Sequence, residues 1–284
     1  MPLTDYQQRI IEYYRDTEHA YRDSWDLDRS LAIHYGYRDE KARSFPASLI
    51  RMNEVMMLEA GIGPGQHVLD AGCGVGGSSI YLARTTGCRV TGISLSERQV
   101  EQARRHAIAN GVEDKTGFEV MDYSATRFPD ASFDVVWGCE SICYAGNKAD
   151  FIREAYRLLK PGGRLVVADG FVSSAANNEH PVIRRWLDGW QVNYLETPGQ
   201  FSAYMQETGF SDIRYRDITP YTRHSSARLY RFYFLARLYL LWRKTCFRPA
   251  PTAMQVRNID ACKYQYQGMK KGLWQYGLIS GARH

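Results

Sequence analysis

Apolar and polar positions alternate along the middle of this chain in a way that separates short strands from longer helices. Val68-Leu69-Asp70-Ala71 reads as a buried strand ending on an acid, and Gly72-Cys73-Gly74-Val75-Gly76-Gly77 then breaks it into a glycine-rich turn ahead of a helix over 78–84. A second strand over 89–94 leads to Ser96, which caps a helix over 97–110 that Gly111 closes. Residues 116–120 form a third strand running into Met121-Asp122-Tyr123, and 132–137 form a fourth. A helix over 149–159 stops at Lys160-Pro161-Gly162-Gly163, and 164–168 is a fifth strand. This order predicts a parallel sheet with helices on both faces.

Beyond the fifth strand the pattern loosens. Trp186 and Trp190 lie four apart on one helical face, a helix follows near 201–208, and a turn with a sixth strand covers 209–215 before a last strand over 273–280. About fifty residues separate the last two strands, which is long for a hairpin link and predicts a folded cap with its own helices. Within it, residues 227–244 are apolar nearly all round but punctuated by Arg228, Arg231, Arg237 and Arg243. Those charges exclude a membrane span, so such a helix needs cover from protein, ligand or lipid surface. The expectation is a buried cap helix with snorkelling arginines; an acceptor pocket or a subunit interface are the alternatives.

The glycine turn lets bare backbone approach a nucleotide-like ligand, and the next helix points its N-terminus at it. Spacing of the glycines alone does not separate a dinucleotide site from other nucleoside sites. Asp70, ahead of the first glycine, does separate them. The arrangement D-x-G-C-G-x-G over 70–76 resembles the first motif of class I S-adenosylmethionine-dependent methyltransferases. In that family the loop holds the amino-acid end of a cationic sulfonium cofactor, which an acid attracts and a pyrophosphate would not match.

The resemblance extends to other strand ends. Asp122 and Tyr123 are placed to accept from an adenine amino group and to cover the ring. No acid ends the second strand, where Ser94-Leu95-Ser96 and Gln99 stand instead, and this segment is similar to that of sterol C-methyltransferases and cyclopropane fatty acid synthases. Residues 137–145 resemble the sterol enzymes' segment after the fourth strand, with Glu140 at the position of an acidic active-site residue. Tyr13-Tyr14, Tyr21, Trp25 and His34-Tyr35-Gly36-Tyr37 resemble an N-terminal aromatic segment of sterol, tocopherol and related small-molecule methyltransferases, which folds over cofactor and acceptor. The resemblance thus implies cofactor contacts from Tyr14, Tyr35, Asp70, Gly72, Cys73, Gly74, Ser94, Leu95, Gln99, Asp122, Tyr123 and Cys139.

Composition narrows the partners. The chain has 284 residues, 24% of them charged, and a formal net charge of +5 with no long basic run, which argues against nucleic acid. Cysteines at 73, 88, 139, 143, 246 and 262 form no C-x-x-C pair and read as free thiols of a reducing cytoplasm, with no metal site. A polar start and no apolar stretch of roughly 18 residues predict a soluble chain without a membrane span. No D-D-x-x-D pair is present to hold magnesium on a diphosphate.

Taken together, the expected fold is α/β, a Rossmann-like class I methyltransferase with a seven-stranded doubly wound sheet and a helical cap. Its parts are a lid over 1–50, a cofactor-binding core over 51–170, a continuation with substrate-side helices over 171–219, a cap over 220–272 and a final strand over 273–284. The expected activity is S-adenosylmethionine-dependent methylation of carbon on a hydrophobic prenyl, terpenoid or sterol-type acceptor through a carbocation. Tyr21, Trp25, Tyr144, Trp186 and Trp190 are the candidate aromatic walls that would steady such a cation, and Glu140 or His34 the base. Glu140 could instead serve only the cofactor's cationic end. Alternatives are O- or N-methylation of a natural product and a non-catalytic module that keeps the fold, while the lid or cap offers a surface for a homo-oligomer.

Overall fold

The computed structural model describes residues 3–25, 27–245 and 251–284, without the side chains of residues 19–21, 23, 24, 28 and 243–245. Seven strands form one sheet: β1 (His67–Ala71), β2 (Arg89–Ser94), β3 (Thr116–Val120), β4 (Phe133–Cys139), β5 (Leu159–Val172), β6 (Phe210–Asp217) and β7 (Trp274–Arg283). They lie in the order β3-β2-β1-β4-β5-β7-β6, and only β7 runs antiparallel to its neighbours. The order reverses between β1 and β4, so the ends of those strands diverge into a crevice.

The helices follow from local chemistry. α1 (Asp5–Trp25) and the short α2 (Leu27–Ser30) precede α3 (Phe45–Ala60), which starts on the Ser44 cap with Pro46 in its first turn and ends at Gly61 in the left-handed region, φ 66°. α4 (Gly77–Thr86) leaves the glycine turn, and α5 (Glu97–Ala109) starts where the Ser96 side chain accepts from the Gln99 amide. α6 (Lys148–Leu158) leads straight into β5, which runs from 159 to 172 rather than 164–168 because Leu159 already pairs with Phe133 across the Pro-Gly-Gly turn. α7 (Pro181–Gly189) and α8 (Pro198–Thr208) follow.

The segment between β6 and β7 folds as two helices, α9 (Thr219–Thr245) and α10 (Ala253–Lys270). α10 packs on α7 so closely that a Cβ on Gly189 would stand 2.5 Å from the Arg257 carbonyl oxygen. That contact carries Trp186 and Trp190 toward the carboxyl end of β5.

α9 departs from expectation. Its first half is held, with Thr222, Ser225, Ser226 and Leu229 buried, but Phe234, Leu235, Leu238, Tyr239, Leu241 and Trp242 are all at least half exposed. An apolar circumference does not bring neighbours by itself; here α10 and β7 cover one stripe of the helix and its far half extends past them. No described helix is long and apolar enough to cross a membrane.

Candidate active site

The glycine turn after β1 is braced from below. Gly72 and Cys73 both donate their amides to the Ile93 carbonyl at 2.9 Å, and Gly72, at φ 93°, lies so near Ser141 that a Cβ would come within 2.4 Å of that side chain. Gly72 is therefore required for packing of the turn itself. Gly74, at φ 53°, faces open space, so its conformation and its bare backbone serve the cleft.

A cleft of about 110 Å³ opens over this turn. Asp70, Gly72, Cys73, Gly74, Ser94, Leu95, Gln99, Tyr123, Cys139 and Glu140 line it from the sheet, while Ile10, Ile11 and Tyr14 of α1 and His34 line it from the N-terminal segment. Ser94 donates to the Gln99 side-chain oxygen at 2.9 Å, which fixes the polar wall at the end of β2. Asp70 is 2% exposed and receives the Ser79 hydroxyl at 2.6 Å, yet burial still pushes its carboxyl up to about 6.

Asp122 is placed differently from expectation and does not line this cleft. One carboxylate oxygen accepts the Ser124 amide at 2.8 Å in a local turn, and the other accepts the Gln7 side-chain amide at 2.6 Å, pinning α1 to the end of β3. Tyr35 is also elsewhere, in the neighbouring cavity.

That cavity has a volume of about 350 Å³, and eleven of its lining residues are aromatic, so its walls are flat and apolar. Trp25, Tyr144, Trp186 and Trp190 all line it, together with Tyr35, Trp274 and Tyr276. Trp186 meets Trp274 at 4.4 Å between ring centroids, and Tyr35 stacks on Tyr276 at 5.6 Å. Three of the rings are held by their polar ends, Trp25 donating to the His34 carbonyl at 3.0 Å, Tyr35 to Gln265 at 2.8 Å and Tyr144 to the Trp190 carbonyl at 3.0 Å, whereas the buried indole nitrogens of Trp186 and Trp190 have no hydrogen-bond partner and those rings are placed by packing. The Tyr21 side chain lies outside the described residues.

Four residues line both spaces: Tyr14, Ile33, Glu140 and Tyr144. Glu140 is the one carboxylic acid among these four. Its backbone is held at φ 50°, a conformation costly for a side chain and fixed here by its amide bond to the Ala168 carbonyl at 2.9 Å. Its Oε1 accepts the Tyr276 hydroxyl at 2.6 Å and the Tyr35 amide. Burial pushes the carboxyl up to about 8 even against those two bonds, with the Asp169 charge adding to the rise.

Asp169, in β5 just past the last residue paired with β4, also lines the cavity; it accepts the Cys143 amide at 2.9 Å, and burial raises its pKa. The one buried cation nearby is otherwise engaged. Lys148 donates to the carbonyls of Cys143, Ala145 and Tyr194 at 2.9–3.0 Å, and burial lowers it to about 8. Among the described residues Asp70, Glu140 and Asp169 thus have no ion-pair partner. Lys148 attracts Asp169 across the site, but Asp70 and Glu140 have no such cation, and ionising them is costly unless a cationic ligand completes them.

His34 turns its Nδ1 to the Tyr35 carbonyl at 2.9 Å and is 5% exposed, so burial lowers its pKa and favours the neutral ring. With the proton on Nδ1, its buried Nε2 is an acceptor without a hydrogen-bond partner in the protein. Asp169, Trp274 and Tyr276 escape the sequence reading. A signal existed: Asp169 directly follows the apolar run over 165–168 much as Asp70 follows Val68 and Leu69, and Trp274 and Tyr276 stand two apart on one face of β7.

The methyltransferase domain family matches residues 69–167. A 27-O-demethylrifamycin SV methyltransferase of Amycolatopsis mediterranei is 35% identical over 207 residues, 72% of this chain and 76% of that one. The chain belongs to the class I S-adenosylmethionine-dependent methyltransferases. A sterol 24-C-methyltransferase of Eremothecium gossypii is 33% identical over 183 residues, 64% of this chain and 48% of that enzyme. Geranyl diphosphate C-methyltransferase from Streptomyces coelicolor A3(2), solved with S-adenosyl-L-homocysteine, shares the fold across 100% of both chains at a TM-score of 0.77 and 23% identity.

The methyltransferase's cofactor is S-adenosylmethionine, and the residues present fit it. Its sulfonium and ammonium cations meet the need of the unpaired acids, and the open backbone at Gly74 leaves room for close approach.

Proposed function

We propose that this methyltransferase transfers methyl to an alkene carbon of a lipophilic acceptor of prenyl, terpenoid or sterol type. The observation that carries the reading is Glu140, a buried, cation-free carboxyl at the junction of the cofactor cleft and an aromatic-walled cavity. S-adenosylmethionine supplies an electrophilic methyl group. Asp70, Gly74, Ser94, Leu95, Gln99 and Tyr123, with Cys73, Cys139 and Tyr14, bind the cofactor, and α1 closes over it as a lid. Gly72 keeps the turn in shape.

An isolated alkene is a weak nucleophile, so Trp25, Tyr144, Trp186 and Trp190 hold it dry and in line with the methyl. The alkene π pair would form the new carbon–carbon bond to the methyl as the sulfonium carbon–sulfur bond breaks and S-adenosylhomocysteine leaves, with a tertiary cation on the neighbouring carbon. Aromatic faces steady that charge by about 2 kcal/mol or more when water is excluded. Glu140 then accepts the proton released as an alkene re-forms, with Tyr276 and Tyr35 holding its carboxylate. Burial makes it a stronger base than an ordinary glutamate.

A second reading has its own support. The acceptor nitrogen of His34 on the cleft wall suits removal of a proton from a hydroxyl, and a relative 35% identical is named for a demethylated oxygen. Methyl-labelled cofactor and a panel of prenylated, sterol and phenolic acceptors, read by mass spectrometry and NMR, decide between them. Label on carbon, lost in Glu140→Gln, supports the first reading. Label only on oxygen or nitrogen, lost in His34→Ala and retained in Glu140→Gln, overturns it.

A further inference from the structure

The exposed half of α9 stands at the mouth of the cavity. Leu235 and Tyr239 line the cavity and are nevertheless 63% and 53% exposed, so the opening runs along this helix. Beside them Phe234, Leu238, Leu241 and Trp242 add an exposed stripe at helical spacing. Single exposed apolar residues are ordinary, but a contiguous patch at the mouth of a greasy cavity marks an interaction surface.

Charge identifies the occupant. Between Asp217 and Asp260 the sequence holds eight Lys and Arg and no acid, although the whole chain carries only +5. Arg231 and Arg237 are exposed among the apolar residues of α9, and Arg237 has its nearest acid, Asp260, at 3.4 Å on α10. We propose that the outer half of α9 is a docking surface for an anionic lipid bilayer, lying in the headgroup plane so that the cavity opens toward the acyl region. Aromatic and leucine side chains entering the interface beneath arginines are what such a plane selects. A second copy fits less well, because a two-fold interface would set the exposed Arg231 and Arg237 against their own copies. The proposal goes beyond the alkene reading and does not rest on it.

The test uses the full chain with S-adenosylhomocysteine and no acceptor. Co-sedimentation is measured with vesicles of phosphatidylcholine alone and of equal parts phosphatidylcholine and phosphatidylglycerol. Binding to the anionic vesicles should exceed binding to the neutral ones by about tenfold or more and fall as salt is raised. Leu238→Asp with Leu241→Asp, neither of which lines the cavity, should bring binding to the neutral-vesicle level while circular dichroism and affinity for S-adenosylhomocysteine stay unchanged. Should that variant misfold, Arg231→Gln tests the same surface and should reduce anionic binding several-fold. Equal sedimentation with both vesicles overturns the proposal, as does retained binding in folded variants. So does a dimer, seen by ultracentrifugation and broken by the same substitutions, in a protein that ignores both vesicles.

Discussion

In the cofactor cleft most of the lining comes from consecutive residues at strand ends, held by backbone bonds such as those of Gly72 and Cys73 to Ile93. In the cavity beside it the walls come from α1, the 31–37 segment, α7, α9, α10 and β7, and the rings of Trp25, Tyr35 and Tyr144 are each oriented by a hydrogen bond from their polar end. The first space is smaller, carries the larger share of polar groups and is fixed by local turns; the second is broad, flat-walled and assembled from distant parts. Recognition of a constant cofactor can rest on backbone geometry. A lipophilic acceptor needs shape and dryness, which only packed side chains supply. Glu140 belongs to both, and substitutions there and around it are the sharpest ways to pull the two apart.

The largest effect is expected at Glu140 itself. Glu140→Gln keeps the shape and removes the charge, so single-turnover rates should fall by roughly 10²–10⁴ while calorimetric affinity for S-adenosylhomocysteine stays within a few-fold. An equal loss in both would assign Glu140 to the cofactor side alone. Asp70→Asn should do the reverse, weakening S-adenosylmethionine binding by about tenfold or more because a buried acid loses its attraction for a cation. Unchanged affinity would remove Asp70 from the site.

Tyr276→Phe removes the hydroxyl that Glu140 accepts, a bond that holds the carboxyl below where burial alone would set it. The rising, acid-side limb of the pH–rate profile, which requires ionised Glu140, should therefore move to higher pH, with a several-fold loss near neutrality and recovery at alkaline pH. A uniform loss at every pH would make Tyr276 a packing residue only.

Stability offers a smaller and independent reading. Since folding raises Glu140 from about 4.5 to about 8, its contribution is fully present below 4.5 and is lost as pH rises through 8. Without cofactor, Glu140→Gln should melt close to wild type at pH 4.5 and several degrees higher at pH 9. S-adenosylmethionine should narrow that gap by supplying the missing cation. A gap that does not grow with pH would show that Glu140 ionises freely in the folded chain. Least in magnitude, amide exchange over residues 5–18 should slow when S-adenosylhomocysteine binds, because Ile10, Ile11 and Tyr14 face the cleft. Unaltered exchange there would count against a lid.

The misplacements between sequence and structure share a cause. Asp122 reads as an adenine partner from its place after β3, but its own turn and Gln7, 115 residues away, use its carboxylate. α9 reads as buried because it is apolar all round, but burial depends on what packs against it, and only one stripe meets α10 and β7. Tyr35 falls in the cavity because its hydroxyl is drawn to Gln265, 230 residues on.

What the sequence determined by itself is whatever depends on neighbours along the chain. Strand periodicity, helix caps and a glycine turn preceded by Asp70 specify the sheet and the cofactor family, since backbone geometry is set within a few residues. Only the tertiary structure decided the chemistry of Glu140. Its backbone bond to Ala168, its contacts with Tyr35 and Tyr276, 105 and 136 residues away, and its lack of an ion-pair partner among the described residues follow from folding alone. A carboxyl's basicity reflects the desolvation and charge around it, and those are properties of a packed volume, which no local pattern of residues encodes.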